Sequence, residues 1–571
     1  MRKSLVVVHL LVLYFLPVKA QNLLFVPDTL SGTSFVLNIY DTAKVFYPGF
    51  STNTFGVNGA YLGPTLLMNK GDSVNIQVQN NLMDTTTIHW HGMHVSAMND
   101  GGPHVVIPPG TVWNPSFTVR DHAATYWYHP HLHMMTNLHA TMGAAGVVIV
   151  RDPQEAALNI PRTYGVDDFP LVLQSKCFDA NKQIVVHNAS DSVMLVNGTL
   201  QAYLPVPAQF IRMRLLNASS ERVYNLGLQG NQSFYQMATD GGLLDAPVSL
   251  TRLRLAPGER AEILVDFSGM VGQSTFLMSY ASELPNAIYG AAQPGMGPGQ
   301  VIPGYTSNPL NGVNFNIMRF DVVAPTAGAI TTVPAALVPN APWPVNSANA
   351  FKTLTFSPVN MGPTAIQGPF LINNTGFDMG VVNYSIPYDN IEIWTLTNQS
   401  PIAHPFHIHA VQFYITEING LPAPANMAGR KDVVLVPAMQ TVKFITKFES
   451  FCDSMGMYMY HCHMLTHEDD GMMGQFVVSC PAGVGMDESP MGGNLQIYPN
   501  PSNGSIHIDA GEHVSLERAE VFTMTGKLLL GSNNLEARNT VLDLSHLASG
   551  VYLVKVWTSA GLMVQRISLT D

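Results

Sequence analysis

Ten histidines, one cysteine and one methionine of this 571-residue chain fall into four short blocks. They are His89-Trp90-His91-Gly92, His129-Pro130-His131, His404-Pro405-Phe406-His407-Ile408-His409, and His461-Cys462-His463 running on to His467 and Met472. A zinc site is satisfied by four ligands and passes no electrons. Two His and one Cys with a weak, distant Met instead suit a copper electron-transfer centre, where soft sulfur stabilises Cu(I). The donors therefore imply redox chemistry on several copper ions.

Side chains at i and i+2 of a strand share a face, and i+1 points the other way. His89 with His91, His129 with His131, and His407 with His409 thus aim together. In His461-Cys462-His463 the imidazoles face one way and the thiolate the other, so one strand touches two metal sites back to back. Consecutive Cα atoms are about 3.8 Å apart, which puts those sites on the order of 10 Å from each other through covalent bonds. On the cysteine side His467 and Met472 follow, with Gly471 allowing a turn between them, and His404 supplies a second imidazole from another strand. On the opposite face remain His89, His91, His129, His131, His407, His409, His461 and His463, and eight imidazoles suit three copper ions.

A lone histidine pair in a strand is more often structural, but the joint occurrence of four blocks is not explained that way. His94, His104, His122, His133 and His139 sit off the motif positions and read as supporting or surface groups. His187, His507, His513 and His546 have no metal context. Because His187 is the one histidine in 140–403, the cluster must draw on the two ends of the chain. The first domain then packs on the third, with the second as spacer.

The elements that position these donors are β-strands. Gly 47 and Pro 39 with 46% apolar residues indicate many turns around buried strands. Ser73 to Val78 alternates, Gly146 to Val150 is a buried apolar run, and Phe210–Leu216 and Ala261–Phe267 look like sandwich strands. No long amphipathic helical pattern occurs. The expected order is a signal peptide at 1–20, sandwiches at 21–160, 161–325 and 349–482, linkers at 326–348 and 483–494, and a small β domain at 495–571. Residues 283–312 read as a long loop. Arg2 and Lys3, the apolar run Leu5 to Pro17 and the small residue Ala20 mark export through the general secretory route. That run is too short to span a bilayer. A net charge of −12 argues against nucleic acid. If Cys462 binds metal, Cys177, Cys452 and Cys480 remain; Cys452 with Cys480 is the candidate disulfide, and three buried thiols are the alternative.

The histidine blocks resemble those of the multicopper oxidase family over about residues 23–480, most closely the three-domain bacterial laccases and cuprous oxidases. The run from His461 through Met464-Leu465-Thr466-His467-Glu468-Asp469-Asp470-Gly471 to Met472-Met473 carries the likeness. The resemblance implies three serial cupredoxin-like Greek-key sandwiches in an all-β chain, and four copper ions. It places His404, Cys462, His467 and Met472 at a type-1 copper and His89 and His407 at a type-2 copper. A type-3 pair then takes His91, His129 and His463 on one ion and His131, His409 and His461 on the other. The implied reaction is one-electron oxidation of a small molecule or metal ion, coupled through Cys462, His461 and His463 to reduction of O₂ to water. Protons are also needed, and Asp100 and Glu468 occupy the positions of acidic proton donors in similar enzymes. An ordinary turn at 99–102 and a solvated acidic run at 468–470 are the competing readings.

Phenols and aromatic amines suit an open type-1 site entered at His467. Met296, Met455, Met457 and Met459 hint at Cu(I) or Fe(II), though the last three alternate along a strand and read as core or wall. The dense Met/His insertion of dedicated cuprous oxidases is absent. A copper nitrite reductase and a copper-buffering surface protein without turnover are the rival classes.

The C-terminal segment carries Ile497-Tyr498-Pro499-Asn500-Pro501-Ser502-Asn503-Gly504 and Leu547-Ala548-Ser549-Gly550-Val551-Tyr552. It resembles the sorting domain of the bacterial type IX secretion system, although the ending Ile567-Ser568-Leu569-Thr570-Asp571 lacks the basic residues many such tags carry. That likeness implies a partner in the secretion machinery and a destination beyond the periplasm, at the cell surface or in the medium. An adhesion-like accessory domain is the alternative. A monomer is expected.

Overall fold

Period-two patterning builds the first sandwich. In the strand Ser73–Asn81, Val74, Ile76 and Val78 are buried, whereas Ser73, Asn75 and Gln77 face solvent. The computed structural model describes residues 21–186, 191–294, 308–359, 368–480, 496–511, 514–523, 527–558 and 561–570. The export signal, Met296, His187 and His513 lie outside the described residues.

One layer of the first sandwich runs Thr52–Val57, Ser34–Lys44, Ser73–Asn81, Val112–Trp113. The other runs Thr29–Ser31, Thr65–Asn69, Gly146–Arg151, Ala124–His129, His89–His91. Trp90, Tyr126 and Tyr128 fill the space between them with Ile39, Ile76 and Val148. The second sandwich stacks a seven-stranded on a six-stranded sheet around Leu171, Met213, Ile263 and Phe320. The third pairs two five-stranded sheets around Trp394, Phe406, Phe444 and Tyr460. Helices are short, the longest α-helix among the described residues being Thr136–Met142. None of them is long and apolar enough to cross a membrane.

The proline-rich 326–348 segment is more than a spacer. Its Leu337 and Val338 are buried with Met237 and Leu264 and donate backbone hydrogen bonds to Asp245 and Leu244, while Trp343 packs edge-on against Tyr414. The segment straps the second sandwich to the third. Cys452 and Cys480 are both disulfide-bonded, and Cys177 and Cys462 stand outside any disulfide. Met459 is core, as read, but Met455 is 83% exposed. Residues 480–571 form a second compact unit with a three-stranded and a four-stranded sheet around Ile506, Ile508, Val521, Val554 and Ile567.

Lys176, 3% exposed, lines a small cavity with Asn137, Asp191 and Glu221. Burial pushes its amine from 10.5 down to about 7, against the pull of Asp191. Below pH 7 the amine is charged in both states and the full cost of burying that charge applies. From pH 7 to 10.5 only the unfolded chain keeps the proton, so stability rises with pH. Lys176→Met should therefore raise the melting temperature most below pH 7, with the gain fading toward pH 10.5. Calorimetry finding an equal gain at both ends would refute this.

Candidate metal centre

Residues directly opposite on neighbouring strands share a face. In the antiparallel pair of His404–Ile408 with Asp453–Cys462, Phe406 lies opposite Cys462 and His407 opposite His461. Cys462 therefore faces the side of His404, and His461 faces the side of His407. The strand ends at Cys462, and the His463 N–H continues the ladder by donating to Pro405 O at 2.6 Å. In the first sandwich His89 lies opposite His129. The two sandwiches thus present their histidines to one another, and every one of the ten is at most 1% exposed.

On the sulfur side, Nδ1 of His404 and of His467 stand 3.5 and 3.6 Å from Cys462 Sγ. Ser400 Oγ donates to Asn398 Oδ1 or Ile402 O, so at 2.7 Å it accepts the Nε2–H of His404. That leaves the His404 Nδ1 lone pair for the sulfur side. Met472 is fully buried. Its N–H donates to His467 O and its carbonyl accepts from Cys462 N, with Gly471 before it at φ +91°. Burial pushes the Cys462 thiol up and holds His467 at about 3. A thiolate between two neutral imidazoles exists in such a place only when a cation holds it.

Four of the eight remaining imidazoles form two stacked pairs, His89 on His409 and His91 on His407, each with ring centres 3.8 Å apart. His89 and His407 donate Nδ1–H to the carbonyls of Asp100 and Asp432, at 3.0 and 2.8 Å. Their Nε2 atoms are buried without a partner. His409 Nδ1–H is taken by Asp100 Oδ2 at 2.7 Å, and His461 Nδ1–H by Cys462 O at 3.1 Å. The Nε2 of His461 nevertheless sits 3.1 Å from that of His131 and 3.4 Å from that of His409. Likewise His91 Nδ1 lies 3.3 Å from His129 Nε2, whose Nδ1–H goes to Pro130 O. Burial keeps His91, His129, His131, His407 and His463 neutral.

Converging nitrogen lone pairs with no proton to share fit divalent or monovalent metal and little else. Potential ligand atoms gather as His89 with His407 and His409, His91 with His129 and His463, His131 with His409 and His461, His404 with Cys462 and His467, and His91 with His407 and Asp432. The donor chemistry of neutral imidazoles and one thiolate fits copper.

Asp100 and Glu468, read as proton carriers, are both 1% exposed. Asp100 is no solvated turn. It ends the short helix Ala97–Asp100, and Gly101 at φ +76° packs so closely that a Cβ there would meet Ile88 O. Its Oδ1 is free of partners while Oδ2 serves His409; burial pushes the carboxyl up, but the adjoining imidazoles of His89 and His409 outweigh it and hold the carboxyl below its ordinary range. The oxygens of Glu468 lie 3.4 and 3.2 Å from Nδ1 of His131 and His461 without an aligned hydrogen bond. Those two imidazoles hold its carboxyl low as well. The neighbouring Asp469 instead accepts the backbone N–H of Thr136 and Asn137, tying the first sandwich to the third. Of the off-motif histidines, His139 is buried against Thr86, His94 pairs with Asp121, and His104 meets Gln475.

Two residues escaped sequence reasoning. Asp432 lies 3.1 Å from His91 Nε2, and Arg260 of the second sandwich grips its carboxylate at 2.5 and 2.6 Å. The one signal was Lys431-Asp432, a charged pair directly before the fully buried strand Val433–Val436. The second sandwich is therefore not merely a spacer.

Family models described as "Multicopper oxidase" match residues 41–155 and 344–481, and one for a secretion system C-terminal sorting domain matches 496–570. The multicopper oxidase mco of Staphylococcus haemolyticus is 33% identical over 444 residues, covering 76% of this chain and 86% of the relative. The cell division protein FtsP of Sodalis glossinidius is 31% identical over 461 residues, covering 80% and 91%. The bacterial laccase-like oxidase CueO from Ochrobactrum sp., with oxidase activity towards lignin model compounds and lignosulfonate, superposes with a TM-score of 0.69 at 30% identity over 80% of this chain and all of its own.

Proposed function

Because the chain belongs to the multicopper oxidase family, we propose that it is a laccase-like oxidase. It takes single electrons from a reductant near Cys462 and passes four of them, with four protons, to O₂ among the eight histidines, giving two waters. Copper cycling between Cu(I) and Cu(II) supplies the electron uptake and the reduction of O₂. His404, Cys462, His467 and Met472 would hold the type-1 ion, and His89 and His407 the type-2 ion. His91, His129 and His463, and His131, His409 and His461, would hold the type-3 pair.

The observation that carries this reading is the convergence of buried imidazole nitrogens on both sides of one strand, with the Cys462 sulfur among them on one side. The covalent path runs from Cys462 to its neighbours His461 and His463. Burial of every donor excludes bulk water. Asp100 with its free Oδ1 and Glu468 with two uncommitted oxygens would hand protons to the cluster. Phenols and aromatic amines are the proposed reductants, in keeping with the lignin-model activity of the Ochrobactrum relative. Cu(I) and Fe(II) are the alternative class.

The likeness to FtsP favours a second reading, a copper-holding scaffold without turnover; the complete donor set speaks for the oxidase. The sorting domain marks the chain for export, and we place its route through the general secretory system and the periplasm to the surface or medium, as a monomer. Purified copper-loaded protein should be intensely blue, with a near-ultraviolet shoulder, and should consume O₂ with members of a panel of phenols, Cu(I) and Fe(II). Bound copper without O₂ uptake would establish the scaffold instead, and nitrite-dependent turnover a reductase.

A further inference from the structure

His91 and His407 are stacked at 3.8 Å and nearly parallel, with 10° between their planes; both gather with Asp432, but His91 also gathers with His129 and His463, and His407 with His89 and His409. Unlike the stacked His89 and His409, whose Nδ1 atoms both turn to Asp100, these two rings turn different nitrogens to their neighbour. Both rings meet the same residue. The side chain of Asp432 faces His91 Nε2 at 3.1 Å, and its backbone carbonyl accepts Nδ1–H from His407 at 2.8 Å. The first contact leaves the Nδ1 lone pair of His91 toward His129 and His463; the second leaves the Nε2 lone pair of His407 toward His89.

The carboxylate is itself fixed from the second sandwich. Both terminal nitrogens of Arg260 reach its two oxygens at 2.5 and 2.6 Å, the fork geometry of an ionised pair. Arg260 is held in turn by the carbonyls of Thr125, Gly258 and Asp240. Its own backbone N–H donates to Asp240 Oδ1, and Lys431 closes the group on Asp240 and Glu259. Gly258, at φ +81°, sits so close to His463 that a Cβ there would lie 2.8 Å from the ring. The loop 256–260 thus abuts the cluster at two points while contributing no ligand.

We propose that Asp432, locked by Arg260, is a positioning residue that sets opposite tautomers in the stacked His91 and His407 and so decides which of the three histidine-held ions each one binds. The proposal rests on the copper reading above. An outer partner of a metal-binding histidine fixes ring orientation and tautomer, and its loss typically weakens metal binding about 10- to 100-fold. Asp432→Asn offers one acceptor oxygen where the aspartate uses two, Oδ1 shared by His91 and one Arg260 nitrogen and Oδ2 taken by the other, and presents an amide N–H to whichever donor loses its oxygen.

The test compares copper content and spectra of wild type and Asp432→Asn after loading and dialysis against a chelator. The visible blue band should persist, since Cys462 and its partners are untouched. Copper per chain should fall by at least one ion, with loss of the near-ultraviolet shoulder and an altered type-2 electron-spin signal. Arg260→Lys, which keeps a cation beside Asp432, should fall between the two. A full copper complement with an unchanged type-2 signal in Asp432→Asn would overturn the proposal. Wild type that binds no copper would instead overturn the oxidase reading.

If Asp432→Asn does not fold, ring ¹⁵N shifts of histidine-labelled metal-free wild type decide, with His91→Gln assigning the resonance. His91 should carry its proton on Nε2 and His407 on Nδ1. Matching tautomers in the two rings would refute the assignment.

Discussion

Cys462→Ser should abolish the blue colour and O₂ uptake together, while leaving the chain folded with its histidine cluster still able to bind copper. The exchange is nearly isosteric at a site 1% exposed, so packing around Met464, Met472 and Phe406 is little disturbed. What vanishes is the one donor that a cation converts to an anion there. Burial already disfavours the free thiolate, and a hydroxyl ionises far less readily than a thiol. The covalent route to His461 and His463 begins at the same atom. Absorption spectra, metal analysis and an oxygen electrode should therefore report no visible band, a loss of about one copper per chain, and background turnover. Retained turnover without the band would refute the electron route.

The second large effect is expected at Glu468. Glu468→Gln keeps the shape beside His131 and His461, with contacts of 3.4 and 3.2 Å in the native chain, but carries no labile proton. Loss of a positioned acid or base typically costs about 10²- to 10⁴-fold, and O₂ uptake should fall within that range. Bleaching of the blue band by reductant under nitrogen should proceed at the wild-type rate, because the reductant enters on the Cys462 side. That split separates a proton-handling role from a structural one. Slowed bleaching, or copper loss equal to the loss of turnover, would show that Glu468 acts by holding the site together. The adjacent Asp469 makes a useful contrast. Its carboxylate caps the Thr136–Met142 helix, so Asp469→Asn should act on stability first.

The donor set was legible because it obeys short-range rules. Alternation along 461–463 is a property of any extended chain, and it sent Cys462 toward His404 and His461 toward His407. Patterning in Ser73–Asn81 and Gly146–Arg151 likewise announced strands with no tertiary information. Contacts across long separations were not legible. His91 and Asp432 lie 341 positions apart, and Arg260 reaches Asp432 across 172. Neither Asp432 nor Arg260 belongs to a histidine block, and the one local sign is the charged pair Lys431-Asp432 before a buried strand. The choice of ligating nitrogen was equally hidden, since it depends on where backbone carbonyls of residues 100 and 432 fall. The 326–348 segment read as a linker because prolines mark extended chain, but Leu337 and Val338 find an apolar surface on the second sandwich that no local pattern reveals.

The most direct measurement of the central claim is anomalous diffraction at the copper edge from crystals of the loaded protein. The account predicts one peak beside Cys462, His404 and His467, and a separate group of three enclosed by the eight remaining histidines. A single peak shared by residues 461, 462 and 463, or copper confined to one side of that strand, would contradict it.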